Sequence, residues 1–148
     1  MGLLKIAIGA DHRGVALKEF LKTQSEIEGR PIEWLDVGSF SSNPSDYPEY
    51  GSKVASLVQN RKADLGVLIC GTGIGMSIVA NRFKGVFAGL AWCKEVAQQA
   101  REHDHINVLV LPADYLSEDQ AFVLVSAWLN AQPLDGKYSD RIKEINKL

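Results

Sequence analysis

The residues of this chain best suited to chemistry lie where a buried apolar run ends. Cys70 closes the run at residues 65–69, and three of the next five residues are glycines. A glycine-rich loop lets backbone N–H groups approach a ligand closely, so it can stabilise a phosphate or a developing oxyanion. A thiol beside such a loop can act as a base or a nucleophile. The same pattern also fits a small apolar cysteine that ends a core strand next to a turn.

Two polar pairs are expected near the same edge of the fold. Asp11 and His12 follow the first apolar run, where they could bind sugar hydroxyls or a phosphate, or could form a solvated turn. Asp46 and Tyr47 lie in a long polar loop at residues 39–48, and loops of this length often carry function. Tyr47 could close over the edge and contact a ligand, or could pack on the surface.

A polar run at His103, Asp104 and His105 offers titratable groups. A metal site would need further ligands at compatible spacing, and the sequence offers none, so no metal is expected. An imidazole that acts as an acid or a base near neutral pH is the better interpretation.

Two cations near the end of the chain share one helix face. Lys137 and Arg141 stand four residues apart, which suits a phosphate dianion. Asp140 and Glu144 are close enough to pair with them, and the spacing alone favours such a solvated face.

Two common nucleotide motifs are incomplete here. Met76 stands where the third glycine of the dinucleotide fingerprint would be, and Val15 and Ala16 replace the Lys-Ser/Thr of a phosphate-binding P-loop. NAD and ATP are therefore disfavoured as ligands.

The elements that position these residues alternate between strands and helices. Apolar runs predict strands at residues 3–8, 32–37, 65–69, 86–91 and 106–111. Helical spacing predicts helices at residues 15–23, 49–60, 76–82, 94–102, 117–129 and 137–148, the fifth opened by a capping box. This alternation predicts an α/β fold, with one parallel five-stranded sheet and helices on both faces, in a single domain over residues 1–148.

Composition narrows the possible partners and compartment. The chain has 148 residues, 46% of them hydrophobic, and a net charge of −2, which gives no reason to expect a nucleic-acid partner. Cys70 and Cys93 lack zinc-like spacing and form no disulfide framework, which fits a reducing cytoplasm. The sequence shows no signal-peptide pattern and no apolar run of about 18 residues, so no membrane association is expected.

Several of these motifs together resemble one family, the type B ribose-5-phosphate isomerases, which also includes the subunits of galactose-6-phosphate isomerase. The matching segments cover essentially the whole chain: residues 9–12 (GADH), 46–48 (DYP), 69–75 (ICGTGIG), 80–81 (AN) and 107–109 (NVL). The resemblance implies a Rossmann-like α/β sheet, a homodimer or tetramer, and an aldose–ketose isomerase that needs no cofactor.

The resemblance also implies roles for individual residues in a reaction through a cis-enediolate. Cys70 would be the base that moves a proton between C2 and C1, Thr72 would assist proton transfer to oxygen, and His103 would open the furanose ring. The enediolate would be stabilised by the loop residues Gly71, Thr72, Gly73, Ile74 and Gly75.

Substrate binding would involve both subunits of a dimer. The resemblance implies that Asp11 holds the sugar and Tyr47 flanks it, while the phosphate is held by His12, Lys137 and Arg141. The segment with His103 would come from the neighbouring subunit, because the family builds its site at the dimer interface.

The chain departs from the family pattern at three positions. Asp104 replaces the Asn that usually follows the ring-opening His, and an anion there disfavours an enediolate unless it is protonated or turned away. Asp114 stands where many members have a phosphate-binding Arg, and Lys137 replaces an Arg and lacks its bidentate fork. Met76 is not a departure but marks the subtype: the resemblance places a catalytic Glu at this position in the second subtype, and its absence here leaves Cys70 as the base.

Ribose 5-phosphate and ribulose 5-phosphate are the expected substrate pair. Two alternatives remain open from the sequence. One is the same chemistry on another sugar phosphate, a hexose 6-phosphate or a tetrose phosphate. The other is a non-catalytic module that binds a sugar phosphate or a nucleotide.

Overall fold

A sheet of mostly parallel strands forms the centre of the fold. The structure is a computed structural model that describes residues 2–148. Its strands are β1 (Leu4–Ala10), β2 (Glu26–Ile27), β3 (Arg30–Asp36), β4 (Leu65–Cys70), β5 (Ala88–Leu90) and β6 (Val108–Pro112). They form one sheet in the order β2-β3-β1-β4-β6-β5, in which only the β2–β3 pair is antiparallel.

The predicted α/β fold with a parallel sheet is confirmed, but the prediction of five strands is wrong by one. Across the described residues 2–148 the sheet has six strands, because β2 adds a two-residue hairpin to the edge of β3. Glu28 and Gly29 form the turn with φ angles of 52° and 75°, the positive values that tight two-residue hairpins need. A strand of two residues, one of them charged, leaves too little alternation for a pattern to reveal.

The helices follow the predicted positions with small shifts at their ends. They are α1 (Val15–Lys22), α2 (Tyr47–Gln59), α3 (Ile74–Ala80), α4 (Lys94–Asp104), α5 (Glu118–Asn130) and α6 (Lys137–Ile145), and a 3-10 turn covers Ala113–Tyr115. The capping box of α5 is present, since Ser117 and Gln120 exchange hydrogen bonds of 2.8 and 3.1 Å. The last helix ends three residues before the predicted residue 148.

Helices cover both faces of the sheet, as predicted. One apolar cluster joins the sheet to α1, α4 and α5, and a second joins the opposite face to α2 and α3. The central strand β4 serves both, since Val67 and Ile69 belong to the first cluster and Leu68 and Cys70 to the second. Cys70 therefore faces the α2–α3 layer.

The order of the strands opens a crevice between β1 and β4. From β1 the chain passes to β3 on one side, and it later returns to β4 on the other side. The connections that leave the carboxyl ends of β1 and β4 consequently diverge, and open α/β sheets bind ligands at such a point. Asp11 follows β1 and Cys70 ends β4, so both lie at this crevice.

A buried ion pair fixes the carboxyl end of β3 beside α1. Lys18 is fully buried, and its Nζ lies 2.7 Å from Asp36 Oδ2 and 5.1 Å from the centre of the Phe40 ring. Lys22 reaches the same carboxylate at 2.6 Å, and the Gly38 N–H donates to the other oxygen at 2.9 Å. Burial alone would raise the pKa of Asp36, but the hydrogen bonds from Lys18 and Lys22 lower it below its ordinary value.

We expect Asp36→Asn to lower the free energy of unfolding by about 3 kcal/mol at pH 7, because it leaves the ammonium of Lys18 buried without its main partner. That is the low end for a broken buried pair, since Glu19 also contacts Lys18 at 2.8 Å. The pKa of Asp36 is lowered by folding, so its contribution is present above about pH 4 and is lost as the pH falls through the lower folded value.

Urea unfolding at pH 7 and at pH 3 measures both effects. Glu33→Gln is the matched control, because Glu33 lies on the same strand with its side chain exposed and 4.0 Å from Lys5. A loss in Asp36→Asn no larger than in this control would contradict the stabilising role of the pair.

Candidate active site

Cys70 lies at the carboxyl end of the central strand and is almost covered. It pairs with Pro112 of β6 in the parallel register, and its exposed fraction is 5%. Met76 and Val110 belong to the same apolar cluster. The thiol is therefore packed into this apolar layer at the carboxyl end of β4.

Three glycines bring the loop after Cys70 close to its neighbours. A Cβ on Gly71 would overlap the guanidinium of Arg13, and one on Gly73 would overlap Leu90 Cδ1. Gly73 also has a φ of +79°, a value that strongly favours glycine. Side chains from other segments thus pack directly against the loop at Gly71 and Gly73.

The loop leads directly into α3. Thr72 is exposed, and its Oγ1 accepts the Ile74 N–H at 3.3 Å, while Ser77 Oγ donates to the Gly73 carbonyl at 2.8 Å. The first N–H groups of a helix have no carbonyl partner within it, so they are available to an anion or a hydroxyl. The structure therefore places the glycine loop and the start of α3 directly after Cys70.

Asp11 and His12 are fixed at the same edge by β1. Asp11 is 6% exposed, and its backbone N–H donates to the Ile69 carbonyl at 3.2 Å, one residue before Cys70. The backbone N–H of His12 donates to Ser45 Oγ at 3.1 Å, and His12 Nδ1 accepts the Ser45 N–H at 3.2 Å. A neutral imidazole that accepts at Nδ1 carries its hydrogen on Nε2, which leaves a donor for a ligand.

Tyr47 lies against the glycine loop at the start of α2. A Cβ on Gly75 would meet Tyr47 Cε1 at 2.5 Å and Cζ at 2.6 Å, so the ring packs directly on this glycine. The structure therefore brings Asp11, His12 and Tyr47 to the edge that carries Cys70, as predicted.

Arg13 and Asp114 form an ion pair at this edge, which the sequence did not reveal. Arg13 Nη2 contacts Asp114 Oδ2, and the Asp114 N–H donates to the Gly71 carbonyl at 3.0 Å. The sequence placed Arg13 beside Asp11 and His12 in a loop that ends at Gly14, and Asp114 at a substituted position, but nothing in it joined the two residues.

A second cluster surrounds His103 on α4. The imidazole stacks on the ring of Tyr138 with centroids 4.6 Å apart and planes 8° from parallel. Lys137 Nζ lies 5.3 Å from the centre of the same Tyr138 ring. Tyr138, which sequence patterns did not single out, thus links the predicted ring-opening imidazole to a predicted phosphate ligand.

Polar contacts hold the end of α4 next to α6. His105 has a φ of 53°, ends the helix, and contacts the Leu134 carbonyl through Nε2 at 2.8 Å. Arg101 Nη1 donates to the Ile106 carbonyl at 2.7 Å, and burial, with a smaller contribution from Arg30, holds the pKa of Arg101 below its ordinary value. Asp104 and Arg141 are exposed.

In residues 2–148 no group of three or more His, Cys, Asp or Glu side chains is arranged to hold a metal ion.

One chain places the two clusters at opposite edges of the sheet. Helix α4 connects β5 to β6, two parallel neighbours, so it runs from the carboxyl edge back to the amino edge. His103 is in its last turn, close to Val108, whereas Cys70 pairs with Pro112. Val108 and Pro112 are four residues apart along β6, which separates them by roughly 13 Å. His103, Lys137 and Cys70 do not meet within one chain.

Comparison with known proteins identifies the family. The family model described as Ribose/Galactose Isomerase matches residues 6–145. The chain belongs to this family. Ribose-5-phosphate isomerase B of Escherichia coli (strain K12) is 39% identical over 144 residues, which cover 97% of this chain and 95% of that protein.

Solved structures of this isomerase family share the fold over nearly the whole chain. A ribose 5-phosphate isomerase from Thermotoga maritima gives a TM-score of 0.91 at 39% identity, covering 98% of this chain and 99% of that one. Ribose-5-phosphate isomerase B from Mycoplasma genitalium, solved with bound ribulose 5-phosphate, gives 0.87 at 35% identity, with coverage of 99% and 96%. The membership confirms the predicted enzyme class, an isomerase. Among residues 2–148 no helix is both long enough and apolar enough to cross a membrane.

We expect Tyr138→Leu to release the His103 ring, because the aromatic face that it stacks on is lost. The ring-current shift of the His103 Hε1 resonance should disappear in an NMR spectrum of this variant and persist in Tyr138→Phe. The resonance of His105 serves as an internal control, since its partner is the Leu134 carbonyl. Equal His103 spectra in wild type and Tyr138→Leu would show that the two rings do not stack in solution.

Proposed function

We propose that this isomerase interconverts ribose 5-phosphate and ribulose 5-phosphate through a cis-enediolate, with Cys70 as the base. The observation that carries the proposal is the thiol at the end of β4, held beside a glycine loop and Asp11 at the point where the strand order reverses. Relatives named as ribose-5-phosphate isomerases, one of them with ribulose 5-phosphate bound, support this substrate pair.

The proposed reaction moves one proton between two carbons. His103 opens the furanose ring, and the Cys70 thiolate then removes the proton from C2 of the aldose. The electron pair of the C–H bond forms the C1–C2 double bond, and O1 takes up negative charge that the loop N–H groups stabilise. Thr72 transfers a proton between O2 and O1 through its hydroxyl, and Cys70 returns its proton to C1 to give the ketose. No electrons leave the substrate, so no cofactor is required.

The sugar and its phosphate use the remaining residues of the edge. Asp11 binds sugar hydroxyls, and Tyr47 flanks the sugar from the side of Gly75. The backbone of Gly73 and Ile74 lines the site on the side of the glycine loop. His12 offers its Nε2–H to the phosphate, since Nδ1 is already bonded to Ser45.

We propose that a second copy of the chain completes each site, in a homodimer or in a tetramer built from dimers. Cys70 and His103 lie at opposite sheet edges of one chain, which supports an imidazole supplied by a neighbour, with Lys137 and Arg141 on the α6 of the same neighbour. Ile74 and Ile78 support this contact, because they stand one helical turn apart beside the glycine loop and are 58% and 57% exposed.

Two features bear on the substituted position 104 and on the compartment. Asp104 is exposed at the end of α4 in the single chain, so no contact among residues 2–148 holds its carboxylate towards the enediolate of a neighbouring site. Cys70 and Cys93 are both free thiols, which fits the proposed cytoplasmic location.

A second substrate class deserves a direct test because of Lys137. A lysine is a point charge and lacks the fork with which an arginine grips a phosphate, so the phosphate can sit at a different distance from the loop. Hexose 6-phosphates and tetrose phosphates belong in the assay for this reason. Turnover of one of these but not of ribose 5-phosphate would keep the mechanism and change the substrate.

We expect Cys70→Ala to lower kcat for ribose 5-phosphate about a thousandfold, because the base that removes the C2 proton is absent. Binding of the substrate, measured by calorimetry, should remain. The assay contains a chelator, so that a trace metal contributes nothing. Cys93→Ser is the matched control and should keep full activity, because the proposed mechanism gives Cys93 no role and its side chain makes no cap to α4. Full activity in Cys70→Ala would exclude the thiol as the base.

We expect two inactive variants to restore activity when their subunits are mixed. In an equal mixture of Cys70→Ala and His103→Ala subunits, half of the dimers are hybrids with one intact site, so about a quarter of the wild-type activity returns. Subunits are exchanged by unfolding and refolding the mixture. Mixing Cys70→Ala with the Cys70→Ala/His103→Ala double variant should restore nothing. A mixture as inactive as its components would argue against shared sites.

A further inference from the structure

Arg13 is a cation at the carboxyl edge of the sheet, close to Cys70, and the proposed mechanism assigns it no role. It follows His12 in the loop between β1 and α1, and its guanidinium covers Gly71, the residue after Cys70. Its side chain is 48% exposed, so part of it is accessible to a ligand from solution. A guanidinium in this position adds positive charge beside the backbone donors of the loop.

Asp114 fixes the direction of this cation. One nitrogen of Arg13, Nη2, is engaged by Asp114 Oδ2, and Asp114 is itself anchored by its N–H bond to the Gly71 carbonyl. The backbone of Arg13 is held as well, since its N–H donates to Asp11 Oδ1 at 3.0 Å. A guanidinium has five N–H donors, so the ion pair leaves several of them free for a planar, bidentate contact.

We propose that Arg13, oriented by Asp114, contacts the phosphate of the substrate together with His12. The proposal rests on the proposed function, which supplies a phosphate monoester dianion as the ligand. The two side chains are consecutive in a loop that hydrogen bonds to Ser45, and both carry donors that no residue among 2–148 takes up in full. Asp114 is then a positioning residue, although a carboxylate by itself would repel the phosphate.

The position of the Arg13 guanidinium also explains why residue 71 has no side chain. The guanidinium occupies the volume that a Cβ would need, so the glycine both frees the backbone and seats Arg13. Phosphate affinity and loop geometry are in this way coupled through one contact.

The first test is Arg13→Gln, assayed with ribose 5-phosphate and with inorganic phosphate as a competitive inhibitor. We expect KM and the inhibition constant of phosphate both to rise about tenfold or more, because charge-assisted hydrogen bonds to the dianion are lost, while kcat changes less than about twofold. Lys62→Gln removes one positive charge at the amino edge of β4 and should change neither constant.

The ion pair itself is tested by reversing it. Asp114→Asn keeps the cation but frees its direction, so we expect a smaller rise in both constants than in Arg13→Gln. Arg13→Asp should be worse than Arg13→Gln, and the double variant Arg13→Asp/Asp114→Arg should recover most of the loss, because it returns a guanidinium to the same pair. Thermal melts show which variants are folded.

The outcomes separate this proposal from the proposed function. Unchanged constants in a folded Arg13→Gln that still turns over ribose 5-phosphate would overturn the role of Arg13 alone. A wild-type protein that turns over no sugar phosphate, yet binds inorganic phosphate less tightly after Arg13→Gln, would overturn the proposed function and keep the phosphate contact. A charge-reversed double variant no better than Arg13→Asp would overturn the positioning role of Asp114.

Discussion

The absence of side chains at Gly71, Gly73 and Gly75 is the constraint on which the carboxyl edge of the sheet around Cys70 depends. Each glycine leaves a space, and a different part of the chain fills it: Arg13 from the loop after β1, Leu90 from β5 and Tyr47 from α2. The five-residue loop is therefore the place where three distant segments meet. Native packing leaves little room for an added methyl group, so a larger residue at any of these positions would displace one of the three segments.

The strand order decides where this meeting point lies. Because β1 and β4 are neighbours whose connections diverge, Asp11 and Cys70 end up side by side without any long loop to hold them. The buried pair of Lys18 and Asp36 stabilises the same region, since it ties α1 to the carboxyl end of β3. A rigid scaffold with a short functional loop at its edge is the usual way to position reacting groups within a fraction of an ångström.

Much of this architecture could be predicted from sequence, for reasons of burial. Parallel strands covered on both faces appear as continuous apolar runs, and the polar residues that follow them must gather at one edge. Asp11, Tyr47 and Cys70 met as expected on that basis. The hairpin strand β2 was missed, because two residues carry no periodicity.

The contacts that the sequence did not reveal join residues far apart in the chain. Arg13 and Asp114 belong to no common motif, and only the register of β4 with β6 brings the end of β6 near the loop after β1. The stack of His103 on Tyr138 depends in the same way on how α6 packs against α4. Pairs of this kind need three-dimensional distances, because neither partner changes the local pattern of hydrophobicity.

The course of α4, which carries His103 away from Cys70, has a consequence for how such proteins diversify. In the proposed shared site, a chain gives its thiol to one reaction centre and its imidazole to another, so no single copy of the chain forms a self-sufficient centre. After a gene duplication, one copy could lose the thiol and the other the imidazole, and a mixed assembly would still hold an intact centre. The geometry of a single helix thereby opens a route from one gene product to two interdependent ones.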